Sequence, residues 1–346
     1  MIRRILFALL ALGPLVIILD KYTDVGGFAL FVLAALALVP LAWLIGEATE
    51  HAAHHTGPGI GGFLNATFGN APELIIALLA INEGLPEVVR GSLTGSVIGN
   101  LLLVLGFSLL FGGTGRLDRE SSLTSFALVG FAVVLFLIPS IPGWDGDPDR
   151  HSLAVVTVPV SIVLLVVYVV VTWHALRRHR SLHVSDEAAM MRAWSLRLSL
   201  GVLAGATVIT ALVAETLVQS LEVFAEELGL TEFFVAAVIV AIVGNAAEHG
   251  GAVVVAHRGN IKLAAEIALA SSAQVAVFLI PVVALVSWLI EPLPLSFRQV
   301  EILAMGASAL FAALLLAGGR STRWRGAVLI AAYVGVAFGF YAAGDR

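Results

Sequence analysis

Cysteine is absent from the 346 residues. That excludes disulfides, thiolate metal ligands and cysteine nucleophiles, and it leaves the redox compartment undecided. Charge is scarce as well. Only 12% of residues are Asp, Glu, Lys or Arg, while 59% are apolar, whereas soluble domains carry about 25% charged residues. An ordinary soluble globule is therefore excluded, and a polytopic membrane protein in contact with the lipid bilayer is expected. The net charge of −5 has the wrong sign for a nucleic-acid partner. The chain also lacks the signatures of common enzymes: a glycine-rich phosphate loop followed by Lys-Ser/Thr, a nucleophile elbow, and HExxH. Gly112-Gly113-Thr114-Gly115 lies between apolar runs and reads as a turn. Neither an enzyme nor a bound cofactor is expected.

What fills the chain instead is eleven apolar segments: 5–19, 28–55, 61–81, 88–111, 123–141, 153–176, 196–221, 233–256, 263–290, 300–317 and 327–343. Each is close to the roughly 20 residues a spanning helix needs, and only helices satisfy their own backbone in lipid. The first lacks a small-residue cleavage site before Asp20, so it reads as a retained span. Positive charge gives the orientation. With the N-terminus cytoplasmic, 14 of the 19 Lys and Arg lie inside, and Lys21, Arg90, Arg150, Arg298 and Arg346 lie outside. The expected fold is all-α, with the N-terminus inside and the C-terminus outside in the cell membrane. Residues 1–27 form an extra first helix, 28–176 a five-helix repeat, 177–195 a cytoplasmic connector and 196–346 a second five-helix repeat. With five spans each, the halves are inverted relative to one another.

One short stretch occurs in both halves: Gly69-Asn70-Ala71-Pro72-Glu73 and Gly244-Asn245-Ala246-Ala247-Glu248-His249. An ionisable residue inside the membrane is expensive, about 2.5–3.5 kcal/mol for a central Asp on insertion scales, and marks function by default. Gly and Asn are weak helix formers and Pro72 has no N–H to donate, so a helix break is expected near Gly69–Asn70. Carboxylates, carboxamides and freed carbonyls are hard oxygen ligands that suit a divalent cation such as calcium. Glu73, Glu248, Asn70, Asn245, Gly69 and Gly244 are the predicted cation site.

Around it come further polar residues. Ser96 and Asn100 share one helical face. Ser271, Ser272 and Gln274 hold the corresponding place, with 23 residues from Glu73 to Ser96 and 23 from Glu248 to Ser271. Glu50 and Glu215, in the first spans of the two halves, are candidate proton relays or entry-path carboxylates, with Glu215 expected deep. His249 is a candidate for tuning proton binding. Glu47, His51 and His55 fall at i, i+4 and i+8, which suits a transition-metal site or a pH sensor. Glu266 is expected to pair with Lys262 one turn away.

These residues resemble a known family. Residues Gly61 to Leu74, containing Gly69-Asn70-Ala71-Pro72-Glu73, are similar to the first signature repeat of cation/proton exchangers (the CAX family), and Val243 to His249 to the second. Ala48-Thr49-Glu50, Asn100 to Gly106 and Ser271-Ser272-Ala273-Gln274 are similar too. The resemblance implies a calcium/cation antiporter with eleven spans and two inverted halves. It implies that Glu73 and Glu248 bind the ion, Asn70 and Asn245 support the break, and Ser96 and Gln274 flank the site. Gly99 stands where the family often has Ser, and Ala270 where it often has Gly. The central connector holds only Asp186 and Glu187 as acids, unlike the acidic segment of many members.

The expected activity is exchange of Ca2+, or a similar divalent cation, for H+. A Na+/Ca2+ exchanger of the same superfamily is the nearest alternative, and an intramembrane metalloenzyme built on Glu47, His51 and His55 a more distant one. Homo-oligomerisation stays open. The charge count makes a direct prediction. With no native cysteine to interfere, Ser185→Cys should react with an impermeant maleimide only from the cytoplasmic side, and Asp147→Cys only from outside. The reverse pattern would invert the topology.

Overall fold

The computed structural model describes residues 2–179 and 194–344. Most of the connector, with Ser185 in it, lies outside the described residues. The described chain is almost wholly helical. Its one β element pairs Gly115–Arg116 with Arg320–Ser321, antiparallel.

Eleven uninterrupted spanning helices are not found. Among the described residues, nine helices are long and apolar enough to cross a bilayer. A tenth arises if Leu221–Leu228 and Glu232–Gly244, bent by 110°, are taken as one span. The difference from the sequence expectation has a local cause. The two segments carrying the duplicated motif are each cut in two at its asparagine. One helix ends at Phe68 and the next is Ala71–Asn82. Likewise the helix ending at Gly244 is followed by Ala246–His257.

Helical hydrogen bonding runs from Gly27 to Phe68, across the expected boundary between 55 and 61, yet this is not one straight rod. Residues eight apart in a straight helix are separated by about 12 Å. A Cβ on Gly61 would lie 3.0 Å from the Ala53 Cβ and 3.2 Å from its Cα. The chain therefore doubles back between these residues, which preserves two arms.

Burial locates the core. The spans that follow the two motif copies, Pro86–Gly112 and Ile261–Leu289, are 83% and 67% buried, against 11% for Arg3–Tyr22. Both contain a π-helical stretch at the matching place, Gly99–Val104 and Val275–Leu279, a feature frequent at functional sites. They are joined by Ser272 Oγ donating to the Val97 carbonyl at 3.0 Å. The outer helices expose apolar faces, such as Leu303, Leu310 and Leu314, as lipid contact demands.

Small residues set the closest approach. Gly91, Gly95 and Gly99 fall at i, i+4 and i+8, the spacing that lets membrane helices pack backbone to backbone. A Cβ on Gly91 would lie 3.0 Å from the Phe233 carbonyl oxygen, and one on Gly95 only 1.9 Å from that of Ala237. The helix bearing Ser96 thus rests directly on the segment that leads to Asn245.

Gly95→Ala forces backbone apart, and overpacking of this kind costs about 1–3 kcal/mol. Thermal unfolding of purified protein should show a clear loss for Gly95→Ala and little change for Gly130→Ala, where an added Cβ meets nothing within 4 Å. Equal stability of the two variants would contradict this packing.

Candidate functional site: two glutamates at matched helix breaks

The duplicated motif folds the same way twice. Asn70 has φ −102° and ψ 18°, and Asn245 φ −88° and ψ 7°. Both asparagines sit just before a half-helix, and in the first copy Pro72 helps to restart the turn. Leu74 N–H donates to the Asn70 carbonyl at 3.0 Å, and His249 N–H to the Asn245 carbonyl at 2.9 Å. Glu73 and Glu248 therefore occupy the third position of their half-helices, in the first turn, where the helix dipole favours negative charge.

The two halves meet at these residues. A Cβ added to Gly244 would lie 3.2 Å from Glu73 Cγ and 3.6 Å from its Cδ. The motif glycine of the second half thus leaves the room that the glutamate of the first half fills. Glu73 and Glu248 interact electrostatically. Glu73 and Asn70 are buried, and Glu73 Oε2 is buried with no hydrogen-bond partner among the described residues.

A polar network joins the copies. Asn245 Nδ2 donates to Ser96 Oγ at 2.8 Å and to the Ala241 carbonyl at 2.9 Å. Asn100 Nδ2 donates to Asn245 Oδ1 at 3.3 Å and to Ser271 Oγ at 3.2 Å. Ser271 Oγ donates to Glu248 Oε2. Ser96 and Asn100 come from one half, and Asn245, Ser271 and Glu248 from the other. Buried polar groups linked in this way fix a geometry, and the donor set is all oxygen on its acceptor side. Asn100 Oδ1 is a second buried oxygen without a partner among the described residues. Such a set suits a hard cation.

Other predicted residues fall less centrally. Ser272 joins backbone rather than the glutamates, Gln274 is half-buried, and His249 Nε2 is buried without a described partner. Glu215 departs from expectation. It is exposed, as is Glu50, because its neighbours Ala214 and Thr216 take the inward face of the helix. Neither glutamate joins the Glu73–Glu248 pair.

The Glu47–His51–His55 run is not a metal centre. Among the described residues no three His, Cys, Asp or Glu come together as ligands. Glu47 instead pairs with Arg3 at 2.6 Å. His51 stacks on Trp194 with ring centroids 4.5 Å apart, and His55 Nε2 lies 2.6 Å from the Trp194 carbonyl. Lys262 pairs more closely with Asp118, at 2.9 Å, than with the expected Glu266, at 3.9 Å.

Comparison with known proteins fits this geometry. The model of the sodium/calcium exchanger protein family matches residues 26–177 and 198–342. The chain belongs to this family. Among its relatives, the Ca(2+)/H(+) antiporter ChaA of Bacillus subtilis is 37% identical, over 98% of this chain and 99% of its own length. The Ca(2+)/H(+) antiporter of Aphanothece halophytica is 34% identical, over 98% and 96%. The structure of native YfkE matches with a TM-score of 0.83 at 35% identity, over 97% of this chain and 99% of that one. An H+/Ca2+ exchanger CAX structure, at 18% identity and a TM-score of 0.76 over 99% and 91%, shares the fold. Both stretches of the family match contain one copy of the duplicated motif.

Sequence reading missed two things that support the site. The Gly91–Gly95 spacing was visible, and the close approach it makes could have been inferred. A buried cluster around Arg90 was not legible, because apart from Glu87 its partners Asp149 and Pro294 lie 59 and 204 residues away in the chain.

Proposed function

We propose that the protein is a secondary antiporter that exchanges Ca2+, or a similar divalent cation, for H+, with Glu73 and Glu248 as the shared site. The observation that carries this reading is the meeting of the two motif copies, with Glu73 packed at Gly244 and Glu248 tied into one hydrogen-bonded network that draws on both halves. Full-length relatives whose names give Ca(2+)/H(+) exchange support it.

The chemistry follows from charge. Two ionised carboxylates in a low-dielectric interior repel one another, and burial disfavours charge. A divalent cation neutralises both at once, and so do two protons. Each loaded form is neutral overall, which lets the site pass through an occluded state in either direction. Empty and ionised, it cannot pass cheaply, and that obliges exchange. Asn70 and Asn245 hold the breaks, while Ser96, Asn100 and Ser271 orient the carboxylates. Glu50 and Glu215, being exposed on their spans, serve as entry-path carboxylates. Two protons for one divalent cation move no net charge.

The membrane arrangement in this reading follows the basic-residue count. Eleven segments cross the cell membrane, two of them broken at the motif, with the N-terminus inside, the C-terminus outside, and the halves 28–176 and 196–346 inverted. Alternating access exposes the glutamates to one side and then the other.

Proteoliposomes test the site. Glu73→Gln and Glu248→Gln should each abolish cation-driven proton movement, scanned over Ca2+, Mn2+, Cd2+ and Na+. Gln keeps the volume of a protonated glutamate, so both variants should fold. Glu266→Gln should retain most activity. Full transport by the Glu248→Gln protein would rule out the two-carboxylate site.

A further inference from the structure

Arg90 is fully buried in the helix Pro86–Ile98, and the exchange chemistry does not use it. Its Nη2 donates to Glu87 Oε1 at 2.7 Å. Its Nη1 donates to Asp149 Oδ1 at 2.8 Å and to the Pro294 carbonyl at 3.4 Å. Four residues on, Thr94 donates to Glu301 Oε1 at 3.2 Å. Glu301 is itself fully buried, accepts from the Arg298 backbone N–H at 2.7 Å, and lies 3.5 Å from Arg298 Nε. The Arg298 guanidinium sits over the Phe233 ring at 3.6 Å and donates to the Gly344 carbonyl at 2.7 Å. Ser96 and Asn100 follow within six and ten residues of Arg90 on the same run of helix.

The matching positions of the other half lack these charges. Glu73 and Glu248, like Ser96 and Ser271, are 175 residues apart. The same offset takes Arg90 to Ala265, Thr94 to Leu269, Glu301 back to Phe126 and Arg298 back to Leu123. The helices Ile261–Gln274 and Arg119–Trp144 that carry those apolar residues pack together, with Ala265, Leu269 and Phe126 buried and Leu123 exposed. One half fills these four positions with hydrocarbon and keeps its ion pair, Lys262 with Asp118, partly exposed, while the other holds a buried ion cluster. Buried ion pairs are weak sources of stability, and a structural use is specifying one arrangement among several. Arginine suits that role because its planar fork fixes two carboxylates at once.

We propose that Arg90, clamped by Glu87 and Asp149 beside the Arg298–Glu301 pair, is a positioning residue that sets the helix Pro86–Ile98 and so places Ser96 and Asn100 against Asn245 and Ser271. The glycine contacts of Gly91 and Gly95 hold the same helix from the Glu232–Gly244 side, so it is fixed from two directions. This rests on the assignment of Ser96 to the ion site.

The test is the half-saturating Ca2+ concentration for exchange in proteoliposomes, measured alongside thermal unfolding. Arg90→Gln should raise it about tenfold, the scale on which a residue that touches no ligand can modulate a site, with the maximal rate altered less than about twofold. Arg90→Lys should fall between, since lysine keeps the charge and loses the fork. Ser96→Ala alone should raise half-saturation, and in the Arg90→Gln background it should add little, because the two changes disturb one contact. Folded Arg90→Gln protein with unaltered half-saturation overturns the proposal, as does a Ser96→Ala effect undiminished in that background. No effect of Ser96→Ala by itself removes Ser96 from the site and the proposal with it, while leaving the glutamates untouched. Should Arg90→Gln not fold, Asp149→Asn removes one partner from a loop. A shift there supports the clamp, and an unaltered value overturns it.

Discussion

Two carboxylates brought together, Glu73 buried and Glu248 half-buried, govern this structure. Each loses hydration, and each repels the other when both are ionised. In the low dielectric of a membrane protein that combination is unstable unless a counter-charge arrives. The helix breaks at Asn70 and Asn245 are the structural answer. They place each glutamate in the first turn of a half-helix, whose first carbonyls, those of Asn70 and Asn245, accept from the Leu74 and His249 N–H groups. The Ser96–Asn245–Asn100–Ser271–Glu248 chain then carries the geometry from one half to the other. Glu73 Oε2 and Asn100 Oδ1 are left buried without a partner among the described residues.

Much of this was legible in the sequence. Glu73 and Glu248 stand out because charge is rare in the apolar runs and because their context repeats. The equal spacing to Ser96 and Ser271 brought the second helix pair into the site, and the structure places those serines in the joining network. The breaks were readable from Gly, Asn and Pro72. Counting spans was less secure. Hydropathy sees one long run where the structure has two half-helices, and it cannot register that Gly61 packs on Ala53.

What failed did so for a physical reason. Glu215 was expected deep because its segment is apolar throughout, but hydropathy does not tell which face of a helix a residue occupies. In the structure Ala214 and Thr216 face inward and Glu215 outward. Glu47, His51 and His55 share a helical face, yet metal binding needs ligands that converge from three directions. Glu47 and His51 instead meet Arg3 and Trp194. The Arg90 cluster was invisible because a basic residue near a span end reads as an orientation signal, and only the fold brings Asp149 to it.

The central claim is that one pair of carboxylates holds either a divalent cation or protons. Calorimetry of Ca2+ binding to the purified protein, repeated in buffers of different ionisation enthalpy, counts the protons released per ion bound. The account predicts that Ca2+ binding releases protons, up to two as the pH is lowered until both glutamates are protonated, and that apparent affinity falls as they are. Calcium binding that releases no protons and keeps one affinity across that pH range would contradict it.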